Sequence, residues 1–125
     1  MKSTLAALAA AFAFLLLAQP AAAADAAAGE QVFRRLCTAC HIATAEGRRG
    51  VGPTLFGVVG RKSGSVDGFR YSTANQNANL VWTPEVLDKY LTNPREVVPG
   101  TIMAFAGIRN DADRANVIAY LQTLK

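Results

Sequence analysis

The chain gathers its only two cysteines and its only histidine within five residues, in the segment CTACH at positions 37–41. A hydrophobic core gives no reason to bring these three side chains together, so the spacing indicates a chemical site. On one helical turn, residues three apart lie on the same face, which places the Cys37 and Cys40 thiols side by side with His41 next to them. The fold of this chain must therefore build a site around the segment.

Several kinds of site use two thiols at this spacing. In an oxidising compartment, a disulfide between Cys37 and Cys40 is one alternative. A thioredoxin-like redox motif requires alternating strands and helices, a pattern that this sequence lacks. A tetrahedral zinc site requires a fourth ligand, and no further cysteine or histidine exists to supply it. C-x-x-C-H is instead the attachment signature of c-type haem, so we predict one covalent haem and its iron as the cofactor, with His41 as an iron ligand.

A second iron ligand can be sought among the remaining residues. Met103 is the only methionine after the initiator. A lone methionine more often fills a gap in the core, and this alternative stays open. Next to an attached haem, however, a histidine and a methionine on iron are typical of electron carriers, because the soft thioether favours ferrous iron and raises the potential. His41 and Met103 are therefore the predicted metal ligands.

Residues 1–24 have the composition of a secretory signal peptide, with one early lysine, an uncharged run over residues 5–18 and an alanine-rich end. Small residues favour cleavage after Ala24, which would leave Asp25 as the first residue. A membrane anchor is the alternative, but the apolar run is shorter than the roughly 20 residues that span a bilayer. We therefore predict export to the periplasm and a single domain over residues 25–125.

The predicted domain carries 12 lysines and arginines against 9 aspartates and glutamates, without runs of one sign. This balance is too mild and too dispersed for nucleic-acid binding. Its patterns predict three amphipathic helices and no strand. The helices are expected over residues 26–38 with Asp25 as the N-cap, from Thr83-Pro84 to Asn93-Pro94, and from Asn110 or Asp111 along the apolar stripe of Val117, Ile118, Leu121 and Leu124. The predicted fold class is all-α, with helices and loops wrapped around one covalent haem.

Longer blocks carry a family resemblance in the same order along the chain: CTACH, GPTLFGVVGRKSG, GFRYSTANQN, VWTPEVLDKYLTNP, VPGTIMAFAGI and VIAYL. They resemble the class I cytochromes c, the family of mitochondrial cytochrome c and the bacterial periplasmic cytochromes c2. The resemblance extends over essentially all of residues 25–125, so it is far more specific than the five-residue motif.

The resemblance implies a role for each matching residue. Cys37 and Cys40 would form the thioethers, His41 would be the proximal ligand and Met103 the distal one. Family members use the residues matching Gly52 and Pro53 to support the imidazole, and the proline carbonyl accepts its ring N–H. Further residues would meet the haem propionates (Arg61, Tyr71, Trp82), form a polar network beside Met103 (Asn75, Tyr90, Thr101), or allow the first and last helices to cross (Gly29, Phe33, Tyr120). From spacing alone, Trp82, Tyr71, Tyr90 and Phe105 could equally be ordinary core residues.

The implied function is that of a soluble, periplasmic one-electron carrier and not an enzyme. It would be a monomer that exchanges electrons with membrane or periplasmic redox proteins in a respiratory, photosynthetic or methylotrophic chain. Two alternatives stay open: a dedicated haem subunit of one dehydrogenase, and a haem peroxidase or gas sensor whose methionine ligand is labile. The absence of a second histidine as an acid or base counts against catalysis.

The sequence departs from the family at the haem edge, where relatives carry lysines for docking onto acidic partners. Only Lys62, Lys89 and Lys125 follow the predicted leader. The corresponding positions hold Leu36, Glu96, Ile102 and Ala104, and the remaining cations nearby are Arg48, Arg95 and Arg109. We therefore predict a more apolar docking face.

Overall fold

The computed structural model describes residues 22–46 and 50–125. Most of the predicted leader, as well as Arg48, lies outside the described residues. The described part contains five helices: α1 (Ala26–Leu36), α2 (Thr73–Asn77), α3 (Pro84–Thr92), α4 (Pro94–Val97) and α5 (Asp111–Thr123). Within these ranges no strand is formed, and Lys62 and Val81 pair in one isolated antiparallel bridge. The predicted all-α class is confirmed.

Helix α1 begins where the sequence predicts. The Asp25 carboxylate accepts hydrogen bonds from the backbone N–H groups of Ala27 and Ala28, which would otherwise lack partners at the helix start. The predicted end at residue 38 is wrong by two residues, since α1 ends at Leu36. The chain tightens there because the N–H groups of Cys40 and His41 both donate to the Cys37 carbonyl oxygen, at 3.1 and 2.9 Å.

Helix α3 has the predicted start and end. The Thr83 hydroxyl accepts from Val86 N–H, and Pro84 occupies the first helical position, where a missing N–H costs nothing. The helix ends at Thr92 because the residue before a proline avoids helical geometry, and Asn93 is extended.

Two short helices, α2 and α4, occupy segments that the sequence patterns place in loops. Helix α2 spans five residues and α4 spans four, so neither is long enough to show an apolar stripe. Local capping accounts for α2, where the Ser72 hydroxyl accepts from Asn75 N–H. Helix α4 follows α3 directly because Pro94, which ends one helix, also starts the next.

The first and last long helices pack across each other, and α5 also packs on α3. Gly29 lies in the crossing, where an added Cβ would overlap the backbone carbonyl oxygen of Asn116. The rings of Phe33 and Tyr120 meet beside it with centroids 5.2 Å apart. The expected crossing of α1 and α5 at these three residues is therefore confirmed. Across residues 22–46 and 50–125, no helix has the length and apolar character needed to cross a membrane.

Candidate functional site

The C-x-x-C-H motif forms a turn directly after α1. Both cysteines are free thiols, so the structure does not support the disulfide alternative. Cys40 is exposed, whereas burial of Cys37 and the nearby Cys40 raise the pKa of the Cys37 thiol to about 11. The Cys37 thiol is therefore protonated at neutral pH and exchanges poorly with disulfides. Two reduced thiols one turn apart are the groups that thioether formation requires.

A backbone carbonyl fixes the orientation of the His41 ring. Its Nδ1 lies 2.7 Å from the carbonyl oxygen of Pro53. Because a carbonyl oxygen only accepts, Nδ1 carries the proton and Nε2 keeps its lone pair. Burial lowers the pKa of His41, the bond to Pro53 partly opposes this effect, and the positive charge of Arg61 lowers the pKa further. The imidazole is thus neutral at pH 7 and is prepared to bind a metal through Nε2.

The His41 ring also lies close to the backbone at Gly52. A Cβ at this position would lie 2.5 Å from His41 Cε1, so only glycine leaves room for the ring. Gly52 N–H also donates to the carbonyl oxygen of Cys40 at 2.8 Å, which ties the two segments together. The family role expected for Gly52 and Pro53 agrees with this geometry.

Met103 lies within a small polar network. The Tyr90 hydroxyl donates to Met103 Sδ at 3.2 Å, and Met103 N–H donates to the Thr101 hydroxyl at 3.2 Å. Burial raises the pKa of Tyr90, while a hydrogen bond with Thr101 lowers it, so the phenol stays protonated at neutral pH. Tyr90 can therefore donate to the sulfur and leave a second sulfur lone pair for a metal.

Arg61 and Tyr71, two of the expected propionate partners, are held by the backbone. The Arg61 guanidinium donates to the carbonyl oxygens of Thr54 and Phe56, at 2.9 and 2.8 Å. The Tyr71 hydroxyl oxygen accepts from Val66 N–H at 3.0 Å, so its own proton is available to another acceptor. Both side chains are half-buried and keep donor capacity for an anionic group.

Trp82 and Asn75 complete the set of expected haem contacts. The buried Trp82 ring packs against Tyr90 with centroids 4.7 Å apart, which links it to the Met103 network. The Asn75 amide oxygen is buried and has no hydrogen-bond partner among the described residues. The structure therefore joins Tyr90, Thr101 and Met103 but does not bond the Asn75 side chain to them.

The residues present fit a bound haem. A buried polar oxygen without a partner is costly, so Asn75 indicates that a further polar group belongs beside it. The apolar side chains near these residues pack on the core yet stay only half-buried, as expected where a planar apolar group would complete their cover (Leu55, Val59, Ala74, Leu80, Met103 and Phe105). The Cys37 and Cys40 thiols could supply the covalent attachment, and the His41 imidazole and the Met103 thioether could bind the metal.

Two buried polar residues were not singled out from the sequence. Ser63 accepts from Leu80 N–H at 3.0 Å and joins two loops that precede α3. Arg114, on α5, bonds to Asp88, Asp111 and the carbonyl oxygen of Ile108. Arg114 stands three residues after Asp111, and that helical spacing of opposite charges was the available signal.

Comparisons with known proteins agree with this geometry. The family model described as Cytochrome c matches residues 26–125. Cytochrome c of Trypanosoma brucei brucei is 60% identical over 63% of this chain and 85% of its own length. Cytochrome c2 of Rhodomicrobium vannielii is 52% identical over 82% of this chain and 81% of its own length. The solved structure of cytochrome cH from Methylobacterium extorquens has a TM-score of 0.74 at 45% identity and covers 79% of this chain and 98% of its own.

Proposed function

The chain belongs to the cytochrome c family, whose members carry electrons on a covalently bound haem c, and from this premise we propose a periplasmic one-electron carrier with His41 and Met103 on iron. The observation that carries the ligand assignment is that a hydrogen bond orients each of the two groups. Pro53 holds the His41 proton on Nδ1, and Tyr90 bonds to Met103 Sδ, so each group keeps one lone pair for the metal.

The bound haem supplies reversible one-electron chemistry, and the protein sets its potential and access. Cys37 and Cys40 would hold the group covalently, which suits a small domain with limited core of its own. Arg61 and Tyr71 retain donors for the propionates, and Asn75 supplies a buried amide. His41 and Met103 would together hold the iron and leave no place for a substrate on it, which is why we propose a carrier instead of an enzyme.

The test is a potentiometric titration of protein matured in a bacterial periplasm, followed by its optical spectrum. We expect a single one-electron couple at positive potential, because His and Met ligation favours ferrous iron. Carbon monoxide added to the reduced protein should leave the spectrum unchanged, since Met103 occupies its binding position. A low potential together with ready carbon monoxide binding would contradict the proposed ligation and would favour a peroxidase or sensor.

Export and cleavage after Ala24 are part of the same proposal. They are supported by the composition of residues 1–24 and by Asp25, which caps α1 and whose backbone N–H donates to Asn116 Oδ1 at 2.8 Å. The domain would then span residues 25–125 as a monomer. Mass spectrometry of protein recovered from the periplasm would measure the first residue directly.

The docking face is proposed to be more apolar than that of lysine-bearing relatives. Ile102, next to Met103, is 73% exposed, and Leu36, next to the attachment turn, is 38% exposed. Ala104 is also exposed. These three positions carry no charge, so long-range attraction contributes less to the encounter with a redox partner.

We expect the rate of electron exchange with the partner to fall only weakly as salt is added, because screening acts on charges and not on apolar contacts. Stopped-flow oxidation of the reduced protein by membranes of the producing cells, over a series of ionic strengths, measures this slope. Ile102→Lys is the matched variant and should steepen the slope if the partner is acidic. A steep fall in rate for the unaltered protein would contradict an apolar docking face.

The same exposed apolar residues favour a second candidate, a stable haem subunit of one dehydrogenase. Permanent interfaces are more apolar than transient ones, and Ile102 and Leu36 would then be covered. Co-purification with a dehydrogenase at a fixed stoichiometric ratio would support this candidate over a diffusing carrier.

A further inference from the structure

Arg114 is a nearly buried cation on α5, with 9% of its surface exposed. Its guanidinium makes three hydrogen bonds through different nitrogens. Nε donates to Asp88 of α3 at 2.7 Å, Nη2 to Asp111 of α5 at 2.8 Å, and Nη1 to the backbone carbonyl oxygen of Ile108 at 2.9 Å. A cation is costly to bury without such partners, so the whole cluster depends on this geometry.

Residues 98–108 form the segment that carries Met103. Ile108, at its end, bonds to α3. Its N–H donates to the carbonyl oxygen of Leu91 in α3 at 2.7 Å, while its own carbonyl accepts from Arg114. The Ile108 side chain is only 4% exposed. Both backbone groups and the side chain of Ile108 are therefore engaged, which makes it an anchor for the segment.

Between Val98 and Ile108 the described backbone hydrogen bonds stay within the segment, and its contacts with the core are made by side chains such as Met103 and Phe105. Ile102, Ala104 and Ala106 are exposed, and Val98, at 2% exposure, marks the buried start of the segment. Within the segment, Phe105 N–H bonds to the Met103 carbonyl oxygen at 2.9 Å, a local contact that does not reach the core. The backbone of Met103 thus depends on the anchors at the two ends, while Tyr90 holds its side chain from the core.

We propose that Arg114 is a positioning residue that keeps Met103 on the haem iron by holding Ile108 against α3. The inference rests on the proposed ligation by Met103. Loss of the bond between Arg114 and Ile108 would loosen one end of the segment, although the Ile108 bond to Leu91 remains, and would enlarge the space that Met103 explores. A wider range of positions lowers the effective concentration of the sulfur at iron, so external ligands compete better. The crossing of α1 and α5 lies outside this cluster and would persist.

The test uses the haem-loaded protein and the rate at which carbon monoxide binds to its ferrous form. A hydrogen bond to a charged group changes an equilibrium constant by about tenfold or more. Carbon monoxide binds only while Met103 is away from the iron, so Arg114→Gln is expected to speed carbon monoxide binding about tenfold. Arg114→Lys keeps the charge but cannot reach all three partners at once, so it should give an intermediate rate. Hydrogen exchange at the Ile108 amide should accelerate in the same order.

Val117→Ala is the matched control, because Val117 lies on the same helix at 1% exposure and makes none of these hydrogen bonds. It should lower the midpoint of denaturant unfolding while leaving the carbon monoxide rate and the Ile108 exchange near those of the unaltered protein. If Arg114→Gln binds carbon monoxide no faster than Val117→Ala at a similar loss of stability, the positioning role is overturned. Unchanged exchange at Ile108 would overturn it as well.

If Arg114→Gln does not fold, Asp88→Asn tests the same cluster from a carboxylate whose side chain is 51% exposed. It should shift both readouts in the same direction by a smaller factor, and no shift would overturn the proposal. Failure of the proposed ligation gives a different result, because the unaltered protein would then bind carbon monoxide readily by itself.

Discussion

Replacing Met103 with alanine is expected to lower the reduction potential of the haem-loaded protein by a few tenths of a volt, since axial ligands tune haem potentials over about 0.8 V. The soft thioether stabilises ferrous iron, and water or hydroxide in its place stabilises ferric iron. The same variant should bind carbon monoxide in the reduced state, because alanine leaves the position open. Potentiometric titration with and without carbon monoxide measures both effects.

Ile102→Ala is the control for this substitution. Ile102 is the neighbour of Met103, is 73% exposed and makes no hydrogen bond through its side chain. Its truncation should therefore change the potential little and leave the reduced protein unresponsive to carbon monoxide. If Met103→Ala kept the reduction potential of the unaltered protein, Met103 would fill a gap in the core and would not bind iron.

The Tyr90 hydroxyl also acts on the Met103 sulfur, because it bonds to Met103 Sδ at 3.2 Å. Donation to the sulfur withdraws electron density from it and helps to hold it in one orientation. Tyr90 would therefore act by direct contact with the proposed ligand Met103, whereas Arg114 would act through the backbone of Ile108. These are two different ways in which a small fold can control one weak metal ligand.

The parts of this fold that the sequence predicts well are those decided by local chemistry. Asp25, Thr83 and Asn110 each accept hydrogen bonds at a helix start, as their side chains and positions indicate. Pro94 ends α3 for a reason that is equally local. The motif at residues 37–41 likewise indicates haem attachment from local sequence alone, because few other sites use those residues at that spacing.

The parts that the sequence does not predict depend on long-range contacts. The spacing of Arg114 from Asp111 does not by itself distinguish it from an exposed arginine, because its burial depends on Asp88, 26 residues earlier, and on the return of the chain at Ile108. Helices α2 and α4 are too short for their pattern to stand out. The contact of Tyr90 with Met103 was expected from the family resemblance and not from periodicity.

Gly29→Ala is expected to destabilise the protein by about 3 kcal/mol, the upper part of the usual range for forcing extra atoms into a packed core. The added methyl would overlap the backbone carbonyl of Asn116 and lie 3.0 Å from Tyr120 Cβ. Backbone atoms cannot rotate away as a side chain can, so the two helices must separate. The contact between the Phe33 and Tyr120 rings would open as well.

The sign of this effect distinguishes a packing role from helix propensity. At an exposed helical site, exchanging glycine for alanine stabilises by up to about 1 kcal/mol, because alanine is the better helix former. Gln31→Ala, at an exposed position on the same helix, should stay within about 0.5 kcal/mol of the unaltered protein. Denaturant unfolding of the haem-loaded proteins measures both free energies. A Gly29→Ala variant as stable as the unaltered protein would contradict the close packing of α1 against the Asn116 carbonyl.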